Sequence, residues 1–305
     1  MTGPRVLALD VGGTKLAAAL VTADGGVERC REVPTPSAGA EDGEGLWSAV
    51  LELIDDTVGG VAPIAVGAGC GGPLRLDLGE VSPLNIPAWR GFPLRARLEA
   101  RFPGVPVRVH NDASAMALGE QRHGAGRGTR SFLGVVVSTG VGAGVVLDGT
   151  LLDGPSGNAG HLGHVSVDPE GPACACGGVG CLEAVARGPA VVVWALEAGW
   201  RPPVGAPDGR ALVGSARDGD PVAVAALQRA GRALGFALAN AAHLFELQRV
   251  AVGGGLAVGA GELLLAPARE AFAQHARLDF AGRCEIVPAQ LGREAGMIGA
   301  AELVR

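Results

Sequence analysis

Val6-Leu-Ala-Leu-Asp10-Val-Gly-Gly-Thr-Lys15-Leu-Ala-Ala-Ala-Leu-Val21 joins two apolar runs through a small-residue turn that carries one acid and one base. Short apolar runs bounded by glycine read as strands, so the stretch predicts a hairpin opened at Gly12 and Gly13. The same design returns further on. Phe132 to Ser138 reads as a strand, Gly140 to Gly144 as a glycine-rich turn, and Val145 to Leu147 as the returning strand. Two halves that both open on strand, small-residue turn and strand predict a duplicated α/β unit with a cleft between the copies, a common place for ligands.

Outward from the first hairpin, periodicity predicts a third strand over Val27 to Val33 and a helix over Leu46 to Val58. A strand follows over Ile64 to Gly69, a helix over Pro93 to Arg101, a strand over Val105 to His110 and a helix over Ala113 to Arg122. In the second half, Leu227, Leu234, Leu238, Ala241 and Phe245 recur at helical spacing within Pro221 to Phe245. Arg249 to Val252 then runs as a strand into Gly253-Gly254-Gly255. Leu263 to His275 and Glu294 to Leu303 read as helices on either side of a strand at Glu285 to Val287. The expected division is 1–110 and 111–292, with a last helix at about 293–305 packing back on the first half.

The 305 residues, 48% apolar, suit two domains at about 150 residues each. The net charge is −6 and no run of Lys or Arg offers a footprint for phosphate backbones, so no nucleic-acid partner is expected. Phe132 to Leu147, the longest apolar stretch, is broken by Ser138, Thr139 and glycines, unlike a bilayer span, and no membrane partner is expected. The opening MTGPRVLALD lacks a basic and apolar leader, which points to the cytoplasm.

Asp10-Val-Gly-Gly-Thr-Lys15 is a candidate phosphate turn. Bare amides at Gly12 and Gly13, the Thr14 hydroxyl and the Lys15 ammonium can all donate to phosphate oxygens, while Asp10 can hold Mg²⁺ or its water. A plain hairpin turn would read the same way. The second turn, with Thr139, Gly140 and Gly142, repeats the design. Gly254 and Gly255 follow a strand, where a flat ring such as adenine could lie on bare backbone. His164, Cys174, Cys176 and Cys181 form H-x₉-C-x-C-x₄-C, a Cys₃His set that predicts a tetrahedral zinc site. Asn111-Asp112 sits between a strand and a helix. It reads either as a helix cap or, at a strand end facing a cleft, as an acid placed to take a proton from a hydroxyl.

Together these motifs resemble the ROK family of sugar kinases and repressors, within the actin-like, hexokinase-like ATPase superfamily. The resemblance rests on Asp10 to Lys15, Asn111-Asp112-Ala-Ser-Ala with Gly119-Glu120, Ser138 to Gly144, Gly163-His164, and Cys-Ala-Cys-Gly-Gly-Val-Gly-Cys-Leu-Glu183. It implies an actin-like ATPase (ribonuclease H-like) fold and ATP-dependent phosphorylation of a hexose primary hydroxyl, most simply glucose O6, with ATP, Mg²⁺ and structural Zn²⁺. Homodimers or homotetramers are common in the family. By the same resemblance Asp112 is the catalytic base, Asn111 and Glu183 bind sugar hydroxyls, His164 ligates zinc and touches sugar, and Gly72 and Asn85 line the sugar pocket. One residue departs from the pattern: the family's glucokinases usually read Glu-x-Gly-His where this chain has His161-Leu-Gly-His164. A carboxylate accepting two hydrogen bonds has become an imidazole that accepts one when neutral, which keeps open an amino or N-acylamino hexose such as N-acetylmannosamine, N-acetylglucosamine or a 3-amino glucose. A repressor of this family would need a helix-turn-helix ahead of Asp10, where this sequence has Met1 to Pro4 and the first strand. A catalytically silent sugar sensor would need no intact Asp112, Glu183 and phosphate turns.

Overall fold

The computed structural model describes residues 3–36, 43–203 and 205–305. The first half runs β1 (Arg5–Val11), β2 (Lys15–Thr22), β3 (Val27–Pro34), α1 (Glu44–Val58), β4 (Ala65–Cys70), β5 (Leu74–Arg75), β6 (Glu80–Val81), α2 (Leu94–Arg101) and β7 (Val107–Asn111). It continues through α3 (Asp112–His123) to β8 (Ser131–Val137), β9 (Val141–Leu147), β10 (Thr150–Leu151), α4 (Leu182–Ala186), α5 (Gly188–Glu197), α6 (Gly209–Arg217) and α7 (Pro221–Phe245). The remainder is β11 (Arg249–Gly253), α8 (Gly255–Ala260), α9 (Glu262–His275), α10 (Asp279–Gly282), β12 (Glu285–Pro288) and α11 (Ala295–Glu302).

Among the described residues ten of the twelve strands form two five-stranded sheets, β3-β2-β1-β4-β7 and β10-β9-β8-β11-β12. Each begins as an antiparallel hairpin, β1 with β2 and β8 with β9, and continues with parallel strands, β4 and β7 in one and β11 and β12 in the other. Parallel neighbours need crossovers, which puts helices on the sheet faces. One face of the first sheet buries Leu7, Leu9 and Leu20 with Trp47 and Ile54 of α1 and Leu98 of α2. Its other face buries Val6, Ala8, Ala17 and Ala19 under Met297, Ala300 and Ala301 of α11. The second sheet packs Leu133, Val135 and Val145 on Leu227, Leu234 and Leu238 of α7, and Phe132 and Val146 on Leu118 of α3.

Helices α3 and α11 are therefore the inner layers, and they touch through backbone. A Cβ placed on Gly299 would lie 1.7 Å from Ala115 O, and one on Gly119 would lie 2.7 Å from Ala295 O. On the sheet side, a Cβ on Gly67 of β4 would lie 1.7 Å from Ala300 O. Glu120, fully buried, accepts hydrogen bonds from the amides of Ala125, Gln290 and Leu291 at 2.8, 3.1 and 2.7 Å, tying α3 to the loop that leads into α11.

The second glycine turn is shorter than its composition suggests. β9 starts at Val141, so Gly142 and Gly144 belong to a strand and not to the turn, which shrinks to Ser138-Thr139-Gly140. Their missing side chains let α3 lie on the sheet: a Cβ on Gly144 would be 2.5 Å from Ser114 Cα, and one on Gly142 would be 2.8 Å from Ala113 Cβ. Helix α7 has the length and hydropathy of a membrane span, unlike the broken stretch at 132–147, but its apolar side chains fill the core of the second half. Its start is fixed by Asp220, whose carboxylate accepts from the amides of Val222 and Ala223 at 2.9 and 2.8 Å.

Candidate functional site

The first turn is braced from inside and outside. Gly12 N–H donates to Lys15 O at 3.0 Å, while the Thr35 hydroxyl donates to Gly12 O at 2.6 Å and Thr35 N–H to Thr14 O at 3.1 Å. Gly13 and Thr14 keep their amides outside these bonds. Lys15 Nζ lies 2.7 Å from Glu32 Oε1, so to meet a phosphate it must leave that exposed pair. Asp10 reaches the first turn of α11, where a Cβ on Gly296 would stand 3.3 Å from its Oδ2. Burial, then the charge of Asp112, pushes the Asp10 carboxyl up to about 7, with Lys15 pulling the other way.

β7 ends, and α3 begins, at Asn111-Asp112. The cap reading holds for Asn111: its Oδ1 caps α3 by accepting from Ala113 and Ser114 amides at 3.0 and 3.2 Å, while its Nδ2 points to the Gly72 loop, 3.3 Å from where a Gly72 Cβ would be. Asp112 is the first helical residue. Its Oδ1 accepts from Ala113 N–H at 2.8 Å, and burial raises its carboxyl above the usual range against that bond and the pull of His161. A carboxylate raised in this way is better matched to taking a proton near neutrality than an exposed one.

His161 closes the other side. Its Nδ1 donates to Asn158 O at 2.8 Å, and its Nε2 lies 3.4 Å from the Cβ position of Gly72. Asn85 is wedged between the first turn and the Gly71-Gly72 loop, its side chain 2.6 Å from where a Gly13 Cβ would sit and its Oδ1 3.4 Å from the Gly71 position. The structure thus gathers Gly13, Gly72, Asn85, Asn111, Asp112 and His161 from both halves of the chain.

Glu183, at the start of α4, points at the second turn: its Oε2 accepts from Val141 N–H at 2.9 Å and lies 2.9 Å from the Gly140 Cβ position. Gly188 N–H donates to Ser138 O at 2.8 Å, so α5 starts beside the same turn. The third glycine run meets it too. Gly254, at φ 92°, would put a Cβ 2.5 Å from Val137 O, and a Gly255 Cβ would lie 3.4 Å from Ser138 Oγ.

The ligand atoms of His164, Cys174, Cys176 and Cys181 lie within 4.8 Å of one another, with Cys174 Sγ to His164 Nδ1 and Cys176 Sγ to Cys181 Sγ both 3.7 Å. A tetrahedral ion with bonds of about 2.3 Å requires donor separations of about 3.8 Å, so the set fits zinc. Burial and the adjacent thiols push the Cys181 thiol up to about 12, so thiolate at that position calls for a cation. Glycine is compulsory around the cluster. A Cβ on Gly180 would lie 1.5 Å from Asp168 O and one on Gly163 2.0 Å from Val141 O, which seats the cluster directly against β9.

Sequence reasoning passed over His110, Asp153 and Asn158. His110 is buried, accepts from Asn111 N–H through Nδ1 at 2.8 Å, and donates from Nε2 to Asp153 Oδ1 at 2.9 Å. The only available signal was a histidine directly before Asn111-Asp112.

These residues can be set beside known proteins. The ROK family profile matches residues 6–305. A ROK hexokinase from Thermus thermophilus superposes with a TM-score of 0.85 at 40% identity, over 98% of this chain and 97% of that one. A ROK family glucokinase from Streptomyces griseus, in complex with glucose and AMPPNP, gives 0.85 at 34% identity over 99% of each chain. An N-acetylmannosamine kinase of Pasteurella multocida is 35% identical over 298 residues, covering 97% of this chain and 95% of its own. With the profile running from the first strand through the last helix, and with near-complete overlap in both fold and sequence, the chain belongs to the ROK family and has its actin-like ATPase fold.

Proposed function

We propose that this chain is an ATP-dependent sugar kinase that phosphorylates the primary hydroxyl of a hexose, with glucose O6 the first reading. The observation that carries it is the position of Asp112, at a strand end between the Asp10 turn and the group Gly72, Asn85, Asn111 and His161. Asp112 takes the proton of the attacking hydroxyl while Asn111 and His161 orient the sugar. The turns at Gly12 to Thr14 and Ser138 to Gly140, with Gly254 and Gly255, hold the nucleotide. Glu183, bonded to Val141 N–H, links the sugar side to the second turn. Asp10, beside Asp112, would hold Mg²⁺ in place of its proton, and the ion would offset charge on the phosphates. Closure of the halves excludes water that would otherwise take the phosphoryl group. The cytoplasm is the proposed compartment and a homodimer or homotetramer the proposed assembly.

A second reading, an N-acylamino hexose, is favoured by His161 at the position of a usual glutamate and by the likeness to the Pasteurella multocida N-acetylmannosamine kinase. ADP release measured over a panel of hexoses and amino hexoses separates the two. The His161→Glu variant should shift relative kcat/KM between glucose and N-acetylmannosamine by about tenfold, or about 1.4 kcal/mol, because one ring substituent changes its hydrogen-bond partner. An unchanged ranking removes His161 from the pocket.

The Cys₃His cluster is proposed to hold structural zinc, which pins the loop that leads to Glu183. Elemental analysis should give about one zinc per chain, and Cys176→Ser should release it and lower both stability and activity. Full activity without metal would end this role.

The raised Asp10 carboxyl gives a signed pH effect. Folded protein holds this proton between about pH 4 and about pH 7, where the unfolded chain has lost it, so stability from this group falls as pH rises through about 7. A cation in the proton's place reverses the loss. The Tm gain on adding Mg²⁺ and ATP should therefore be larger at pH 8 than at pH 6, and an equal gain would count against Asp10 as the cation's partner.

A further inference from the structure

After β10 the chain crosses from the second half to the first, and residues 153–161 lie along the loop that carries Gly72. Asn158 fastens them there. Its Oδ1 accepts from Leu74 N–H at 3.0 Å and its Nδ2 donates to Leu74 O at 2.7 Å, so one carboxamide pairs with both main-chain groups of one residue, as a neighbouring strand would. Nδ2 also donates to Ser156 Oγ at 3.0 Å, and Leu76 N–H donates to Ser156 O at 3.1 Å. Gly157, at φ 84°, runs so close that a Cβ there would stand 2.7 Å from Leu74 Cδ1 and from Leu76 Cβ. The His110 to Asp153 hydrogen bond is a second tie between the same two halves.

The main-chain oxygen of Asn158 has a separate task. It accepts from His161 Nδ1 at 2.8 Å, which places the ring proton of a neutral imidazole on Nδ1 and leaves Nε2, the atom facing Gly72, as an acceptor only.

We infer that Asn158 is a positioning residue for sugar selection: by pairing with Leu74 it holds the wall of the pocket on the first half and fixes His161 with its accepting nitrogen toward the sugar. The inference rests on the reading that a sugar sits among Gly72, Asn111 and His161. A sugar hydroxyl that donates to Nε2 is favoured by this arrangement. A substituent at the same place that can only accept is disfavoured, because two acceptors then face each other in a site that excludes water. Asn158 touches no sugar in this scheme. It acts by making one orientation of His161 the only one available.

The test compares Asn158→Ala, which loses both bonds to Leu74, with Asn158→Asp, which keeps the acceptor and loses the donor. Kinetics are read with glucose and N-acetylmannosamine, alongside the ATP KM, Tm and the ¹⁵N shifts of the His161 ring. Expected for both variants is a sugar KM raised about tenfold, an ATP KM within about twofold, a ratio of kcat/KM between the two sugars moved at least about threefold toward unity, and loss of the single Nδ1–H tautomer. In Asn158→Ala, adding His161→Ala should move that ratio no further, because one residue acts through the other. A lowered Tm with sugar KM, ratio and tautomer unchanged would make Asn158 a structural tie and overturn the proposal, as would effects of the two substitutions that simply multiply. His161→Ala alone provides the separate check: if it leaves KM unchanged for every sugar, the sugar-pocket reading fails and takes the proposal with it.

Discussion

Asp112→Asn should lower kcat by about 10²-fold or more while sugar KM stays within about threefold of wild type. The amide can keep the Oδ1 bond to Ala113 N–H, now 2.8 Å, so α3 starts as before and Asn111 still caps it. What it cannot do is take a proton. The pH profile gives a second reading of the same residue. Because burial raises the Asp112 carboxyl, wild-type kcat/KM should fall on the acid side at a pH above the usual carboxylate range, and the variant's residual rate should lose that limb. Asp10, pushed up to about 7, adds its own acid limb, and the two are separable. Raising Mg²⁺ competes with the proton on Asp10 and shifts that limb to lower pH, while a limb owned by Asp112 stays in place. Activity of Asp112→Asn within a few-fold of wild type would remove it as the base.

Gly299→Ala should cost about 3 kcal/mol or more and lower Tm by at least about 5 °C. One methyl group is too large there because its carbon would stand 1.7 Å from Ala115 O, and the neighbour is helix backbone that cannot turn aside. Helices α3 and α11 would have to separate, opening the join between the two halves. Gly214→Ala is the matched control. Gly214 lies inside α6 with nothing within 4 Å of a Cβ, so the same substitution should be neutral or stabilise by up to about 1 kcal/mol through helix propensity. Equal Tm values for the two variants would show that the close approach at Gly299 relaxes freely.

The contrast between these glycines shows what a sequence can disclose. Gly12 and Gly13 read correctly as a turn because a strand of clear apolar pattern stands on each side. Gly142 and Gly144 carried the same local signature and are strand, since their cause is a helix 25 or more residues upstream that needs their bare faces. Helix α7 was legible from end to end because Asp220 and Pro221 mark its start and its apolar spacing is regular. Helix α5, Gly-Pro-Ala-Val-Val-Val-Trp-Ala-Leu-Glu, was not, as its nearly uniform apolar character gives periodicity nothing to measure. Among the candidate site residues, Asp10, Asp112 and the Cys₃His set announce themselves by chemistry and spacing. Asn158 does not, because its partner Leu74 is 84 residues away and contributes only backbone.

The placement of α11 bears on how the protein is made. Val6, Ala8, Ala17, Ala19 and Val21 are translated well before the side chains that cover them, Met297, Ala300 and Ala301, which follow nearly 300 residues later. At about 5–20 residues per second, that face of the first sheet stays uncovered for roughly 15–60 s of synthesis. Nascent chains will expose an alanine-rich surface throughout this interval, open to chaperones and to pairing with other unfinished copies. Chains that stop short of residue 297 lack the side chains that cover this face, so truncation ahead of α11 should leave a less stable protein with an exposed apolar surface.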